Sequence, residues 1–135
     1  MNFEYSDPES NFDRSKVKGF VAECVQVKDS KFNTALEVTA GTKLRNIIVD
    51  TEKTGKSLLK NGHLTKRVTL IPLNNITHRT LEDKKLKSAE EHGTSLALSM
   101  IDYDKELKPA MEHIFGTTLI TSSKFNLYFF QVNRF

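Results

Sequence analysis

The run Asn46-Ile47-Ile48-Val49-Asp50 constrains this chain more than any other feature. It is short, apolar and β-branched, and polar residues bound it on both sides, so it predicts a buried strand. Upstream, Asp29 or Ser30 can cap a helix running to about Ala40, with Phe32, Ala35, Leu36 and Val38 turned inward. Gly41 stands where a helix C-terminus favours left-handed φ. Downstream, residues 51–60 predict a second helix, stopped by Asn61-Gly62. Residues 68–73 then predict a third strand, with Pro72 near its end or on a sheet edge.

The same reading extends outward in both directions. Residues 1–16 are polar and contain Pro8, which predicts a weakly ordered lead-in. Alternation and β-branched content predict a strand over 21–27. Residues 77–93 are highly charged, with a narrow apolar stripe of Leu81, Leu86 and Ala89, and predict a connector carrying a short surface helix. A strand follows at 96–101, then a helix at 104–115 with Leu107, Met111, Ile114 and Phe115 on one face. Pro109 falls in the early turns of that helix, where a missing N–H costs least. Gly116 ends it, and 117–121 can form a further strand. This order predicts an α/β domain of mixed α+β type. A faint internal repeat, helix-Gly41-strand and helix-Gly116-strand, suggests two related half-units joined by the connector.

Length and composition narrow the class. A chain of 135 residues suits one compact domain. A single cysteine, Cys24, excludes an internal disulfide framework and any multi-cysteine zinc site, and points to a reducing, intracellular setting. No apolar run approaches the roughly 20 residues that span a bilayer. Charge is unevenly spread. Residues 41–87 carry eleven bases against four acids, whereas 1–40 carry five against seven and 88–135 four against six. Lys43, Arg45, Lys66, Arg67, Lys84 and Lys85 in that central block are candidates for phosphate contact. The competing reading is a solvated surface, because few aromatic residues interleave these bases in the sequence.

Other motifs carry less. Thr54-Gly55-Lys56-Ser57 follows a strand and opens a helix, as in a phosphate-binding P-loop, which would make the chain a nucleotide binder. The pattern fails at its first glycine, where Asp50 stands and would repel phosphate. Histidines 63, 78, 92 and 113 lack metal-ligand spacing, and Cys24 reads as a small core residue in its strand. Glu82-Asp83 and Glu90-Glu91 are sequence neighbours, which diverge on a helix and make no acid–base dyad. The residues therefore predict no catalytic group, no cofactor and no metal.

Several pieces together resemble the hinge domain of structural-maintenance-of-chromosomes (SMC) proteins. They are Val17-Lys18-Gly19, Thr34-Ala35-Leu36-Glu37 through Ala40-Gly41, and Asn46-Ile47-Ile48-Val49-Asp50. With them go Thr54-Gly55-Lys56 and Leu58-Leu59, the stretch from Arg67 to Asn74 with Ile76, and Phe115-Gly116-Thr117-Thr118. Asp7-Pro8-Glu9, Asn11-Phe12-Asp13-Arg14 and the stretch from Leu58 to Arg67 are most similar to type-two subunits of condensin. The resemblance implies a hinge-like fold and a module that dimerises with the hinge of a second SMC subunit, a heterodimer in condensin-type complexes. It further implies a nuclear, chromosomal role in organisation and condensation, DNA as an additional partner, and ATP chemistry confined to distant head domains. No membrane and no small-molecule substrate are expected.

The resemblance covers 17–121, with 1–16 as lead-in and 122–135 as an aromatic tail. The first half-unit is thus expected complete and the second partial, as in a truncated hinge. The tail holds Phe125, Tyr128, Phe129, Phe130 and Phe135, and reads either as sequence outside the family pattern or as an edge strand. The edges of the dimer interface are left open.

Overall fold

A computed structural model describes residues 3–76, 83–91, 94–122 and 127–131. Its elements in chain order are β1 (Val17–Phe20), α1 (Val21–Cys24), β2 (Val25–Val27), α2 (Asn33–Ala40), β3 (Ile47–Val49), α3 (Glu52–Asn61) and β4 (Leu70–Pro72). They continue with α4 (Asp83–Glu91), β5 (Thr94–Leu96), β6 (Ile101–Tyr103), α5 (Lys108–Phe115), β7 (Thr118–Ser122) and β8 (Leu127–Gln131). This is the mixed helix-and-sheet class that the sequence predicts. The chain forms two compact units, one of Met1–Cys24 with Thr42–Ile76, the other of Val25–Gly41 with Thr77–Phe135.

The first unit is built around the strand that anchors the sequence reading. β3 lies between β1, which it meets antiparallel, and β4, which runs parallel to it. All three β3 residues are buried, as a central strand covered on both faces requires. Parallel neighbours need a crossover, and α3 provides it. Leu58 on α3 packs with Ile47 and Val49, and Phe3, Tyr5, Val17, Phe20, Val68 and Leu70 close around them. A Cβ added at Gly55 would stand 3.4 Å from Leu70 Cδ1 and 3.8 Å from Val49 Cγ2. The glycine therefore lets α3 lie close on its two strands.

α3 starts at Thr51, whose Oγ1 accepts the Thr54 N–H at 3.2 Å. Thr51→Ala removes this cap and should cost about 1 kcal/mol, lowering the thermal midpoint by roughly 3–5 °C. An unchanged midpoint in a circular-dichroism melt would show that the helix start is held by other contacts.

Among the described residues the lead-in has no helix or strand before Arg14, but it is tied down. Phe3 stacks on Tyr5 at 5.3 Å and meets Phe20 edge-on at 6.1 Å. The Arg14 guanidinium lies 4.6 Å over the Tyr5 ring and its Nε is 2.8 Å from Asp7 Oδ1. The Ser6 N–H donates to the Gly62 carbonyl at 2.8 Å.

The second unit holds an antiparallel pair, β2 with β6, and an antiparallel sheet in the order β5-β7-β8. α2 packs against α5. Leu36, Met100, Ile101, Leu107, Met111, Ile114, Phe115, Leu119 and Ile120 are among its buried apolar residues. Pro109 occupies the first turn of α5, and Gly41 closes α2 with φ +56°. β8 pairs residue for residue with β7, from Thr118–Gln131 to Ser122–Leu127, so this part of the tail is a strand. Phe125 and Phe135 lie outside the described residues.

Three expectations are corrected. Residues 21–27 are not one strand: α1 interposes a helical turn between β1 and β2. Val21, Cys24 and Val25 also satisfy helical spacing, and the Val21 N–H bonds to the Asn46 carbonyl at 2.9 Å, which ends the ladder there. The run 96–101 is not one strand either. A 3-10 turn at Ala97–Met100 separates β5, which pairs with β7, from β6, which pairs with β2. Ser99 Oγ supports that turn by donating to the Leu96 carbonyl at 2.6 Å. Finally, the chain does not divide only at the charged connector. Residues 25–41 belong to the second unit, because Ala35, Leu36 and Ala40 are buried on a helix that packs on α5.

Candidate functional site

Sheet geometry gathers part of the basic block. β3 and β4 are parallel, so the residues preceding each strand arrive at the same end of the sheet. Arg45 precedes β3, and Lys66 and Arg67 precede β4. β1 runs the other way and finishes at that end, with Phe20 opposite Ile47. Phe3 reaches it through its edge contact with Phe20. The result is a groove of about 430 Å³ lined by Phe3, Glu4, Phe20, Arg45, Lys66, Arg67 and Val68.

Arg45, Lys66 and Arg67 are exposed, whereas Phe3, Phe20 and Val68 are half-buried. The groove thus has an apolar, aromatic floor with exposed cations at its rim. Guanidinium and ammonium groups so placed can meet phosphate oxygens, and a ring face can receive a planar base. One carboxylate, Glu4, shares the groove.

The remaining predicted bases are placed differently. Lys43 lies in the 3-10 turn that carries Arg45 and is half-buried; its carbonyl accepts the Asn46 N–H at 3.0 Å. Lys84 and Lys85 are exposed on α4 of the second unit. The structure therefore brings three of the six candidates into one groove. The aromatic residues beside them were missed because Phe3 and Phe20 lie far outside the basic block in sequence. The signal available was their alignment with the β1 end, which requires the sheet order.

The P-loop resemblance has another cause. Only Asp50 and Thr51 separate β3 from α3, too short a loop to wrap a polyphosphate. Three of the donors at this helix start are already engaged. The Thr51 N–H goes to Asp50 Oδ1 at 2.7 Å, Glu52 N–H to Asn74 Oδ1 at 2.9 Å, and Thr54 N–H to Thr51. Asn75 Nδ2 in turn donates to Glu52 Oε2 at 2.7 Å. Thr54 and Gly55 are buried against the sheet, and Lys56 is exposed.

Cys24 sits on α1 and not in a strand, half-buried, with Sγ 3.5 Å from the Lys18 carbonyl. Burial pushes its thiol pKa up, Glu23 adds to the rise, and Lys18 opposes it. Less thiolate is then present at neutral pH than in a free cysteine of pKa about 8.5. Alkylation by iodoacetamide should be slower than that of a free cysteine near pH 7 and should accelerate only at higher pH. A rate equal to the free thiol's would contradict this placement.

Among the described residues no group of three or more His, Cys, Asp or Glu side chains could hold a metal ion. His63 is exposed just beyond α3 and His113 lies near the end of α5; His78, His92 and Arg79 lie outside the described residues. No helix among the described residues is long and apolar enough to cross a membrane.

Comparison with known proteins agrees with this architecture. The family model described as the SMC proteins flexible hinge domain matches residues 14–124. The chain is 52% identical over 121 residues to Structural maintenance of chromosomes protein 2-2 of Arabidopsis thaliana, covering 89% of this chain and 10% of that protein. It is 45% identical over 130 residues to Structural maintenance of chromosomes protein 2 of Homo sapiens, covering 93% of this chain and 11% of that protein. The chain thus spans about a tenth of the length of the curated relatives it matches. Among solved structures, an asymmetric dimer of the Geobacillus stearothermophilus SMC hinge domain superposes with a TM-score of 0.66 at 26% identity, covering 76% of this chain and 43% of that one.

Proposed function

We propose a function that proceeds from one premise: this chain belongs to the family of SMC flexible hinge domains. It is a hinge, not an ATPase head. It acts as a dimerisation module that grips the hinge of a second SMC subunit and catalyses no reaction itself. The observation that carries this reading is the shared fold with the Geobacillus stearothermophilus hinge, which was crystallised as an asymmetric dimer. Similarity to type-two SMC proteins along nearly the whole chain supports a condensin-type, heterodimeric assembly. From that follow a chromosomal, nuclear location and a part in chromosome organisation and condensation, with ATP hydrolysed in head domains of the larger protein. Sedimentation velocity of this chain mixed with a partner SMC hinge tests the reading. A new, faster species of one-to-one composition is expected, and two independently sedimenting components at every concentration would overturn it.

A second reading, contact with DNA, is favoured by the groove that holds Arg45, Lys66 and Arg67 beside Phe3 and Phe20. Lys43, Lys84 and Lys85 add positive charge elsewhere on the chain. Phosphate contacts of this kind release counterions, so affinity should fall linearly in log–log form as salt rises. Binding of a labelled oligonucleotide that ignores salt would count against it.

A further inference from the structure

The groove is not purely cationic. Its wall includes residues 3 and 4 of the lead-in, so the segment that contributes the Phe3 ring also contributes the Glu4 carboxylate. That segment is held in place on both sides of Glu4. Phe3 is packed on Tyr5 and Phe20, the Ser6 N–H is bonded to the Gly62 carbonyl, and Asp7 is paired with Arg14. Glu4 itself is exposed and lines the same space as Arg45, Lys66 and Arg67. An acid lining the same groove as three bases lowers the potential that a phosphate meets there, an effect that salt screens over about 8 Å at physiological ionic strength.

We propose that Glu4 is a built-in competitor for phosphate in this groove, and that the docked lead-in thereby holds the groove's affinity for DNA below what its three cations alone would give. The proposal rests on the DNA-contact reading above. It assigns the lead-in a tuning role, because the segment that supplies the Phe3 ring of the groove also supplies the opposing carboxylate. A second acid on the same segment provides an internal comparison. Glu9 lines a different depression, with Phe12, Lys16, Thr51, Lys53, Thr54 and Ser57. It has the same formal charge as Glu4 but lies outside the groove.

The experiment compares the full chain with Glu4→Gln, Glu9→Gln and the double variant Lys66→Ala/Arg67→Ala. Binding of a fluorescein-labelled, mixed-sequence DNA oligonucleotide is followed by anisotropy across a salt series. Glu4→Gln should tighten binding roughly three- to tenfold at low salt. It should also steepen the log–log salt slope, because the repulsion that Glu4 exerts on phosphate is screened as salt rises. Glu9→Gln should shift affinity less than Glu4→Gln and leave the slope unchanged. If the Lys66→Ala/Arg67→Ala pair weakens binding while Glu4→Gln and Glu9→Gln behave alike, the competitor role is overturned and the DNA-contact reading stands. If the Lys66→Ala/Arg67→Ala pair changes nothing, the groove is not the DNA site and both fall.

Discussion

Phe115→Ala is expected to destabilise the protein by about 3–5 kcal/mol, the usual loss for removing a buried aromatic ring. Phe115 is 1% exposed and is the largest of the fully buried side chains among the described residues. It is the last residue of α5 and stands just before the turn into β7, so its ring lies where helix and sheet of the second unit are joined along the chain. Domains of this size hold only about 5–15 kcal/mol in total, so the loss removes at least about a fifth of the margin. Urea denaturation should show a clearly lower midpoint, and far less for Phe115→Leu, which keeps most of the volume. Val38→Ser supplies the contrast. Val38, which its helical spacing predicts to face inward, is instead 53% exposed on α2, and its replacement should stay within about 0.5 kcal/mol of wild type. Equal effects of Phe115→Ala and Val38→Ser would mean that the second unit does not pack around α5.

The elements that were legible in the sequence are those whose local signals and tertiary partners agree. Ile47-Ile48-Val49 is apolar at every position, and the sheet places it in the centre, where every position is buried. The helix from 52 to 61 has a capping Thr51 before it and Gly62 after it, and both serve as helix ends. Where one apolar stretch serves two partners, local pattern misleads. Residues 94–103 look continuous, yet β5 and β6 belong to different sheets, and the 3-10 turn between them buries Ala97 and Met100. Residues 17–27 divide likewise, β1 pairing with β3 and β2 with β6. Nothing in the alternation of valines records which sheet will claim which end.

The site was legible only in its charges. Arg45 is twenty-one residues from Lys66 in the chain, and what unites them is the parallel register that sets Ile47 against Leu70. A strand-helix-strand order hints at parallel pairing, but the contribution of Phe20 depends on an antiparallel β1 on the other flank of β3. Lys84 and Lys85 look identical to Lys66 and Arg67 in a charge plot, yet they sit on a helix of the other unit. The P-loop resemblance fails for a related reason. Gly55 is spaced as a phosphate-loop glycine would be, but here the missing side chain admits Leu70 and Val49.

Lys66→Ala/Arg67→Ala is the substitution with the largest expected effect on DNA contact. Each phosphate contact contributes about 0.7–0.9 to the log–log salt slope, so losing two should flatten it by roughly 1.4–1.8. Extrapolated from the strong-salt limit, where such contacts vanish, this amounts to about a 25- to 60-fold loss of affinity at 0.1 M salt. The difference should shrink steadily as salt rises. Both side chains are exposed, so the thermal midpoint should move by no more than the equivalent of about 0.5 kcal/mol. Association with a partner SMC hinge, measured on the same preparations, should be unaffected. Loss of that association with DNA binding retained would put Lys66 and Arg67 in the protein interface instead. Lys84→Ala/Lys85→Ala, made in parallel, asks the same of the second unit: a comparable flattening would mean that DNA reaches α4, and no change would confine the contact to the end of the sheet where β3 and β4 begin.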